Sequence, residues 1–539
     1  MKEMKSFWKI VFNCLMVLFL CGCVVFIVCS TKTDKSKKTD GLMHTDFGAF
    51  LATQHALFVN DFDAAAEMMR DVKADVPVVK NTKSTIDFFN GKTPEDIKSV
   101  KQDKDVVKRL IYNAYLVKHD NWKEVYQLYS KDNSILFAPL RVFSSVKQGK
   151  TKEALAFIDS LKTNKSWKAF MRGQIAVLNN DIDKAAKEFA DVHPDFMNIN
   201  DYLYLMSFYK ENGMTEDMDI LRNDFMAKPS GMILLNYKDI PDWSNYAGYK
   251  NNLVFGIIQS IAHTQIIIFT DLSVLMLRFA EIVSGESNQD AINYYLGQYY
   301  FHNSGDYKQA FNKISKKHPL YLFGQMKIAE KAGNLKYIEK IAYENPLFIS
   351  AVDTIVKDNI KMGKKRAALR LINRALQHKD LTDTGRGYFL KQRANVYLMF
   401  NQPEKAQKDL KQAQELDDGL QSDVLLLQAR IWAQQNRNLD DAYDYAMVLI
   451  KKNISDVVAW DILGVIVDKR EGVQAALEVL ERVGEISVTT SSLYEHLGDI
   501  YAKKGDKERA KRSYLHAIDL SDDGLIVVPF VQKKIRKLK

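Results

Sequence analysis

Between residues 387 and 524, apolar positions recur at helical spacing, and a longer period is laid over it. Counting from Ser491, large residues stand at positions 4, 7, 11 and 24 (Tyr494, Leu497, Tyr501, Tyr514). Small ones stand at 8, 20 and 27 (Gly498, Ala510, Ala517), with Leu520 at 30 and Gly505 between the two runs. The pattern predicts two amphipathic helices folded back on one another. Small residues at 8 and 20 let the two axes approach, and the large residues fill the space between them. Ala517 receives the first helix of a following pair, and Gly505 ends the first helix in a left-handed conformation.

The same positions return 34 residues earlier, from Val457, as Trp460, Leu463, Gly464, Val467, Ala476 and Leu480. From Ser422 they are Leu425, Ala429 and Trp432, then a turn one residue longer (Asn436-Arg437-Asn438-Leu439-Asp440-Asp441) before Ala442. From Gly387 they are Leu390, Ala394, Tyr397, Ala406, Leu410, Ala413 and Leu416. Upstream the pattern is looser. Leu296, Gly297, Tyr300 and Ala310 mark one unit, and Gly149, Gly213, Gly333 and Gly363 read as turns between helices. Trp167–His193 and Leu51–Lys73 read as further pairs, the latter turning at Asn60-Asp61. The expected total is roughly eleven to thirteen helix pairs. Breaks are expected around Lys80–Lys104 and around Lys228–Asn252, which holds Pro229, Gly231, Pro241 and Gly248. The strongly apolar stretch Leu253–Val283 is interrupted by Gln259, Ser260, His263, Gln265, Asp271 and Arg278. Burying those groups in lipid costs several kcal/mol each, so a buried helix pair is expected there rather than a membrane span.

Ile10–Cys29 (IVFNCLMVLFLCGCVVFIVC) carries no charge and has the length of a membrane-crossing helix. Lysines flank it on both sides, so the distribution of basic residues gives no clean orientation. A signal anchor fits the length. A lipoprotein signal is the second reading, with Leu20-Cys21-Gly22-Cys23 resembling a lipobox and Cys23 as the lipidated residue; Val24–Val28 would then be unusually apolar for the start of a linker. A cleaved signal is the third reading. Ser30–Asp40 reads as a flexible tether. The expected organisation is therefore 1–29 signal anchor or lipoprotein signal, 30–45 tether, and 46–285 degenerate helical repeats. It continues with 286–386 repeats of the same kind, 387–524 repeats in clear register, and 525–539 a basic C-terminal cap.

Composition agrees with an all-α chain: 25 Gly and 10 Pro in 539 residues leave long stretches free to be helical. All four cysteines (Cys14, Cys21, Cys23, Cys29) lie in the N-terminal apolar segment, so no disulfide braces the body. The net charge of +9 is spread thinly, and its clearest cluster is Lys533, Lys534, Arg536, Lys537 and Lys539. A solvated terminal cap is the plain reading of that cluster, and a polyanion- or membrane-binding tail the other. Nucleic-acid binding is not expected from so diffuse a charge.

Together these residues resemble the tetratricopeptide repeat (TPR) family, and within it the exported or lipid-anchored envelope proteins of Gram-negative bacteria. Phe50-Leu51-Ala52-Thr53-Gln54-His55-Ala56 looks like the opening helix of that group, Asn438-Leu439-Asp440-Asp441-Ala442 like its expanded turn, and Glu495-His496-Leu497-Gly498-Asp499-Ile500-Tyr501 like its closing repeat. The chain departs from the group in being Lys-rich and short of repeat-ending prolines. The resemblance implies an α-solenoid of antiparallel helix pairs and an envelope scaffold or assembly role, and it supplies no catalytic residues.

No catalytic set, cofactor site or metal site is expected. Gly91-Lys92-Thr93 and Gly149-Lys150-Thr151 lack the earlier glycine of a phosphate-binding loop, since Ile86 and Ser144 stand there, and read as turns. The histidines are scattered, with His496 and His516 at ordinary repeat positions, and Asp417-Asp418 and Asp522-Asp523 read as solvated helix ends. Some repeats of this kind hold a partner's carboxylate with Lys and Asn on the inner helix face. Lys391 and Asn395 match the first half of such a clamp, but Leu427, Val458 and Ile462 stand where the rest would be. The inner positions expected to meet a partner are Tyr388, Lys391, Asn395, Leu398, Arg430, Glu495 and Asp499. The function expected is a membrane-tethered scaffold that binds other proteins in the bacterial cell envelope, not an enzyme, with no small-molecule substrate. The body is expected in the periplasm, held at the inner membrane by a signal anchor or at the outer membrane if lipidated. The alternative is a non-catalytic subunit or enzyme of cell-wall or envelope biogenesis.

Overall fold

The computed structural model describes residues 45–58, 62–90, 106–226, 228, 230–237, 239–263, 271–303, 306–416, 421–486 and 490–538. The apolar segment 10–29, Cys23, nearly all of the tether, the Asn60-Asp61 turn, Gly91-Lys92-Thr93 and Asp417-Asp418 lie outside them. Among the described residues every regular element is a helix, and no helix is long and apolar enough to cross a membrane.

The chain divides into two compact units. The first comprises the chain to Asp191 and Ser244–Ser315. It holds the hairpins Asp46–Phe58/Phe62–Met69, Val106–Lys118/Trp122–Tyr129, Ala138–Lys147/Thr151–Ser160, Lys165–Leu178/Ile182–Ala190 and Gln289–His302/Tyr307–Asn312. Helix Pro77–Phe89 fills the first part of the expected 80–104 break, with its proline at the helix start, where the missing N–H costs nothing. The apolar stretch near 253–283 forms two helices, Gly248–His263 and Asp271–Ser284. Leu253, Ile257, Ile261, Met276 and Phe279 are buried there among Phe143, Met171 and Trp167. Gln259 and Ser260 are also buried, and Ser260 Oγ donates to the Gly256 carbonyl at 2.8 Å.

The second unit comprises Val192–Trp243 and Lys316–Lys539. It opens with the hairpin Ile199–Glu211/Thr215–Met226, and the 228–243 stretch that follows holds the short 3-10 helix Met232–Asn236, whereas the end of the expected 228–252 break, from Gly248, is already part of helix Gly248–His263. Six hairpins then run in series: Leu320–Lys331/Leu335–Glu344, Ile349–Lys361/Lys365–Leu376, Asp383–Met399/Pro403–Leu416, Gln421–Gln435/Leu439–Lys452, Val457–Arg470/Val473–Ile486 and Ser491–Lys504/Lys507–Asp519. A last helix, Val528–Lys537, follows.

The repeat positions are occupied as the pattern requires. Ala394, Ala406, Ala413, Ala429, Ala442, Ala476, Ala510 and Ala517 are fully buried. Gly498 lies against Tyr514, and a Cβ there would sit 2.5 Å from the ring. Gly464 faces Leu480 and Gly173 faces Phe189 in the same way. Two repeats put an ion pair where the others put uncharged residues. Arg393 grips buried Asp409 with two hydrogen bonds of 2.7 and 2.8 Å, and Arg172 Nε reaches Glu188 at 2.7 Å. The corresponding places in the last two repeats hold Leu463 with Val479 and Leu497 with Ser513. The described hairpin turns share one backbone device, a residue with positive φ. Gly149, Gly213, Gly333, Gly363 and Gly505 supply it as expected, and Asp120, Asn180 and Asn401 supply it elsewhere. The long turn uses two such residues, Asn436 and Asn438. Gly149-Lys150-Thr151 is one of these turns.

Candidate functional site

In the second unit the first helices of successive hairpins lie side by side, so side chains about one repeat apart meet. Tyr388 Oη donates to Asp353 Oδ2 at 2.6 Å, and Lys391 Nζ reaches Asp423 at 2.5 Å. Gln434 Nε2 donates to the Leu398 carbonyl at 3.1 Å, and His496 Nδ1 lies 2.6 Å from Asp461 Oδ1. Burial pushes the Tyr388 hydroxyl well above its ordinary value, and Asp353 beside it adds to the shift. Burial likewise raises Asp353, against the pull of the Tyr388 hydrogen bond.

Of the seven inner positions expected to meet a partner, three converge. Lys391, Asn395 and Arg430 line one cavity of about 190 Å³, together with Leu427, Val458 and Ile462, the positions where the sequence lacks the rest of a carboxylate clamp. A second cavity of about 210 Å³ adjoins it and shares Arg430, Val458, Ile462 and Leu525. Gln434, Asp461, Ser492 and His496 face that second space. Tyr388 lies next to the first cavity, within cation–π reach of Lys391 at 5.0 Å. Leu398 is buried in its own repeat and offers only its carbonyl, which Gln434 takes.

Glu495 and Asp499 are occupied from within the chain. Lys534 of the last helix donates to Glu495 Oε1 at 2.8 Å and to Asp499 Oδ2 at 2.6 Å. Burial works against that ammonium, but the two carboxylates outweigh it and hold its pKa above the ordinary lysine value. The segment that carries Lys534 leaves the last hairpin at Ser521 and crosses back over the inner side of the repeats. Asp523 accepts from Ser491 N at 2.8 Å and from its Oγ at 2.5 Å, so Asp523 finishes the start of helix Ser491–Lys504 instead of facing solvent. Asp522 pairs with Lys361, and Gly524, with φ +72°, lies against Lys357. Pro529 lies against Gly363, and the Phe530 ring is 5.8 Å from that of Phe400. Ile526, Val527 and Val531 are buried, each contributing about 1.5–3 kcal/mol of apolar burial before the cost of ordering the segment. Leu525 thereby becomes a wall of both cavities. Lys533, Arg536 and Lys537 stay exposed on the outer side of this helix.

Reading the sequence placed Lys391, Asn395 and Arg430 but missed Gln434, Asp461, Leu525 and Lys534 and treated His496 as an ordinary repeat position. The His496–Asp461 pair was detectable in principle, because the two lie 35 residues apart, about one repeat, on faces that must meet.

No family model matches the chain, and no curated protein does. Among solved structures it is similar to a tetratricopeptide repeat protein from Parabacteroides merdae (15% identity, TM-score 0.30, covering 54% of this chain and 99% of that one). It is also similar to the APC/C hetero-tetramer Cut9-Hcn1 (14%, TM-score 0.30, 92% and 91%) and to yeast Tom70 (14%, TM-score 0.27, 82% and 96%). At these scores the repeat architecture rests on the spacing and packing of this chain itself.

Proposed function

We propose that this chain is a membrane-tethered scaffold that holds other proteins in the bacterial cell envelope and catalyses no reaction. The observation that carries the reading is the run of hairpins whose first helices line one side with polar and charged groups such as Lys391, Asn395 and Arg430. Repeats that touch only their neighbours build a long surface on which partner contacts can be distributed. The tether rests on the uncharged run Ile10–Cys29 and the polar stretch after it, and the periplasm is the compartment this export-like start favours.

In-cell crosslinking with mass spectrometry of the intact chain tests the scaffold. Specific protein partners are expected, and Asn395→Trp should deplete them without lowering the thermal midpoint; recovery of no protein above background rejects the reading. Protease accessibility after outer-membrane permeabilisation tests the compartment. A body fully protected there would lie in the cytoplasm, and loss of membrane attachment in Cys23→Ala would identify lipidation instead of an anchor helix.

A further inference from the structure

The charged groups around the two adjoining cavities are not equally satisfied. Lys391 has Asp423, His496 has Asp461, and Lys534 has Glu495 and Asp499. Arg430 has no carboxylate within ion-pair reach among the described residues, and its one partner is the Met399 thioether, 3.1 Å from Nη2. Burial pulls its pKa below the ordinary guanidinium value, and the more distant Asp461 and Glu495 only partly restore it. Arg430 is half-buried, and a cation partly withdrawn from water gains when an anion joins it. The rest of the lining is mainly aliphatic (Val458, Ile462, Val465, Leu427 and Leu525), and the exposed Lys469 also lines the second cavity.

We propose that this chamber binds a small aliphatic carboxylate. Its carboxylate pairs with the Arg430 guanidinium, whose planar fork suits two parallel hydrogen bonds. Its hydrocarbon chain lies along Val458, Ile462 and Leu525. An inorganic anion would leave that apolar lining uncovered. A helix, about 10 Å across, does not fit cavities of about 190 and 210 Å³. The C-terminal segment takes part directly, since Leu525 closes one wall. This inference does not depend on the scaffold reading; a partner protein could be held elsewhere along the repeats.

The test is isothermal titration of the full chain in a non-ionic detergent with sodium hexanoate and with uncharged hexanamide, on the wild type and on Arg430→Met. The wild type should bind hexanoate saturably, and R430M at least ~10-fold more weakly, a difference of about 1.4 kcal/mol. Hexanamide should bind the wild type no better than hexanoate binds R430M. Methionine removes an unpaired cation while keeping most of the side-chain volume, so the thermal midpoint of R430M should hold or rise. Arg430→Lys, which keeps the charge and loses the fork, should bind with intermediate strength. No saturable hexanoate binding up to ~10 mM, or equal binding by hexanamide or by R430M, overturns the proposal.

Discussion

His496 carries a proton whose location depends on the neighbouring repeat. Burial opposes its charge, but Asp461 at 2.6 Å, with Glu495 and Asp499 nearby, outweighs burial and raises its pKa above the ordinary imidazole value. A histidine with a raised folded-state pKa adds stability that is fully present below the unfolded value, about 6.5, and is lost as pH rises through the folded one. The repeats around helix Ser491–Lys504 should therefore be more stable at pH ~6 than at pH ~8. In His496→Gln that slope should flatten, while stability at pH ~8 changes less than at pH ~6. Amide hydrogen exchange of helices Val457–Arg470 and Ser491–Lys504 across this range checks it. A slope unchanged in the variant would mean that other groups set it. Sequence could name the residue but not its state. An imidazole at a repeat position is equally compatible with a solvated edge, and only the register between two repeats places Asp461 beside it.

At the scale of the helical hairpin, two glycines do different physical jobs. Gly498 has ordinary helical backbone, and its need is space, since a Cβ would meet the Tyr514 ring at 2.5 Å. Gly213 has open space around its Cα, but a φ of +68° that L side chains rarely adopt. Gly498→Ala gains about 1 kcal/mol in helix propensity and loses about 1–3 kcal/mol to overpacking, so a net loss is expected. Gly213→Ala should lose about 1–2 kcal/mol through the backbone alone. The two are separated by a double-mutant cycle in denaturant: Tyr514→Leu should recover much of the Gly498→Ala loss, and trimming the neighbours of Gly213 should recover nothing. Additivity between Gly498→Ala and Tyr514→Leu would sink the packing account. Most of these hairpins were legible because the small-residue positions and turn glycines report directly on close approach and positive φ. The turns at Asp120, Asn180 and Asn401 were harder to place, since Asn and Asp occur as readily in solvated loops and helix starts as in the left-handed region. Arg393 and Asp409 form a buried ion pair at two positions where hydrophobic spacing expects apolar side chains, and the register stays legible because Leu390, Ala394, Ala406 and Leu410 around them keep it.

At the largest scale, each of the two units keeps its own core, and in the second the helix Val528–Lys537 packs back onto the repeats. The basic cluster at residues 533–539 reads from sequence as a solvated cap, and Lys533, Arg536 and Lys537 are indeed exposed. Lys534 is the exception, and no periodicity encodes it. Its pairing with Glu495 and Asp499 depends on the chain reversing at Gly524, where φ is +72°, and on Ile526, Val527 and Val531 finding apolar cover. The consequence is that two of the inner acidic positions, which look available in sequence, are taken in cis. Lys534→Glu would place a third carboxylate against these two and remove charge-assisted hydrogen bonds that contribute about 1.5–3 kcal/mol. The helix Val528–Lys537 should then detach more often, raising amide exchange over residues 526–537 by roughly 10–100-fold. Exchange in helix Ile349–Lys361 should rise less, because Asp522 with Lys361 is only one of its contacts. Lys533→Glu makes the same change of charge on the exposed side of the same helix, and should leave exchange nearly unaltered. Equal effects from the two substitutions would mean that net charge, not the Lys534 contact, holds helix Val528–Lys537 against the repeats.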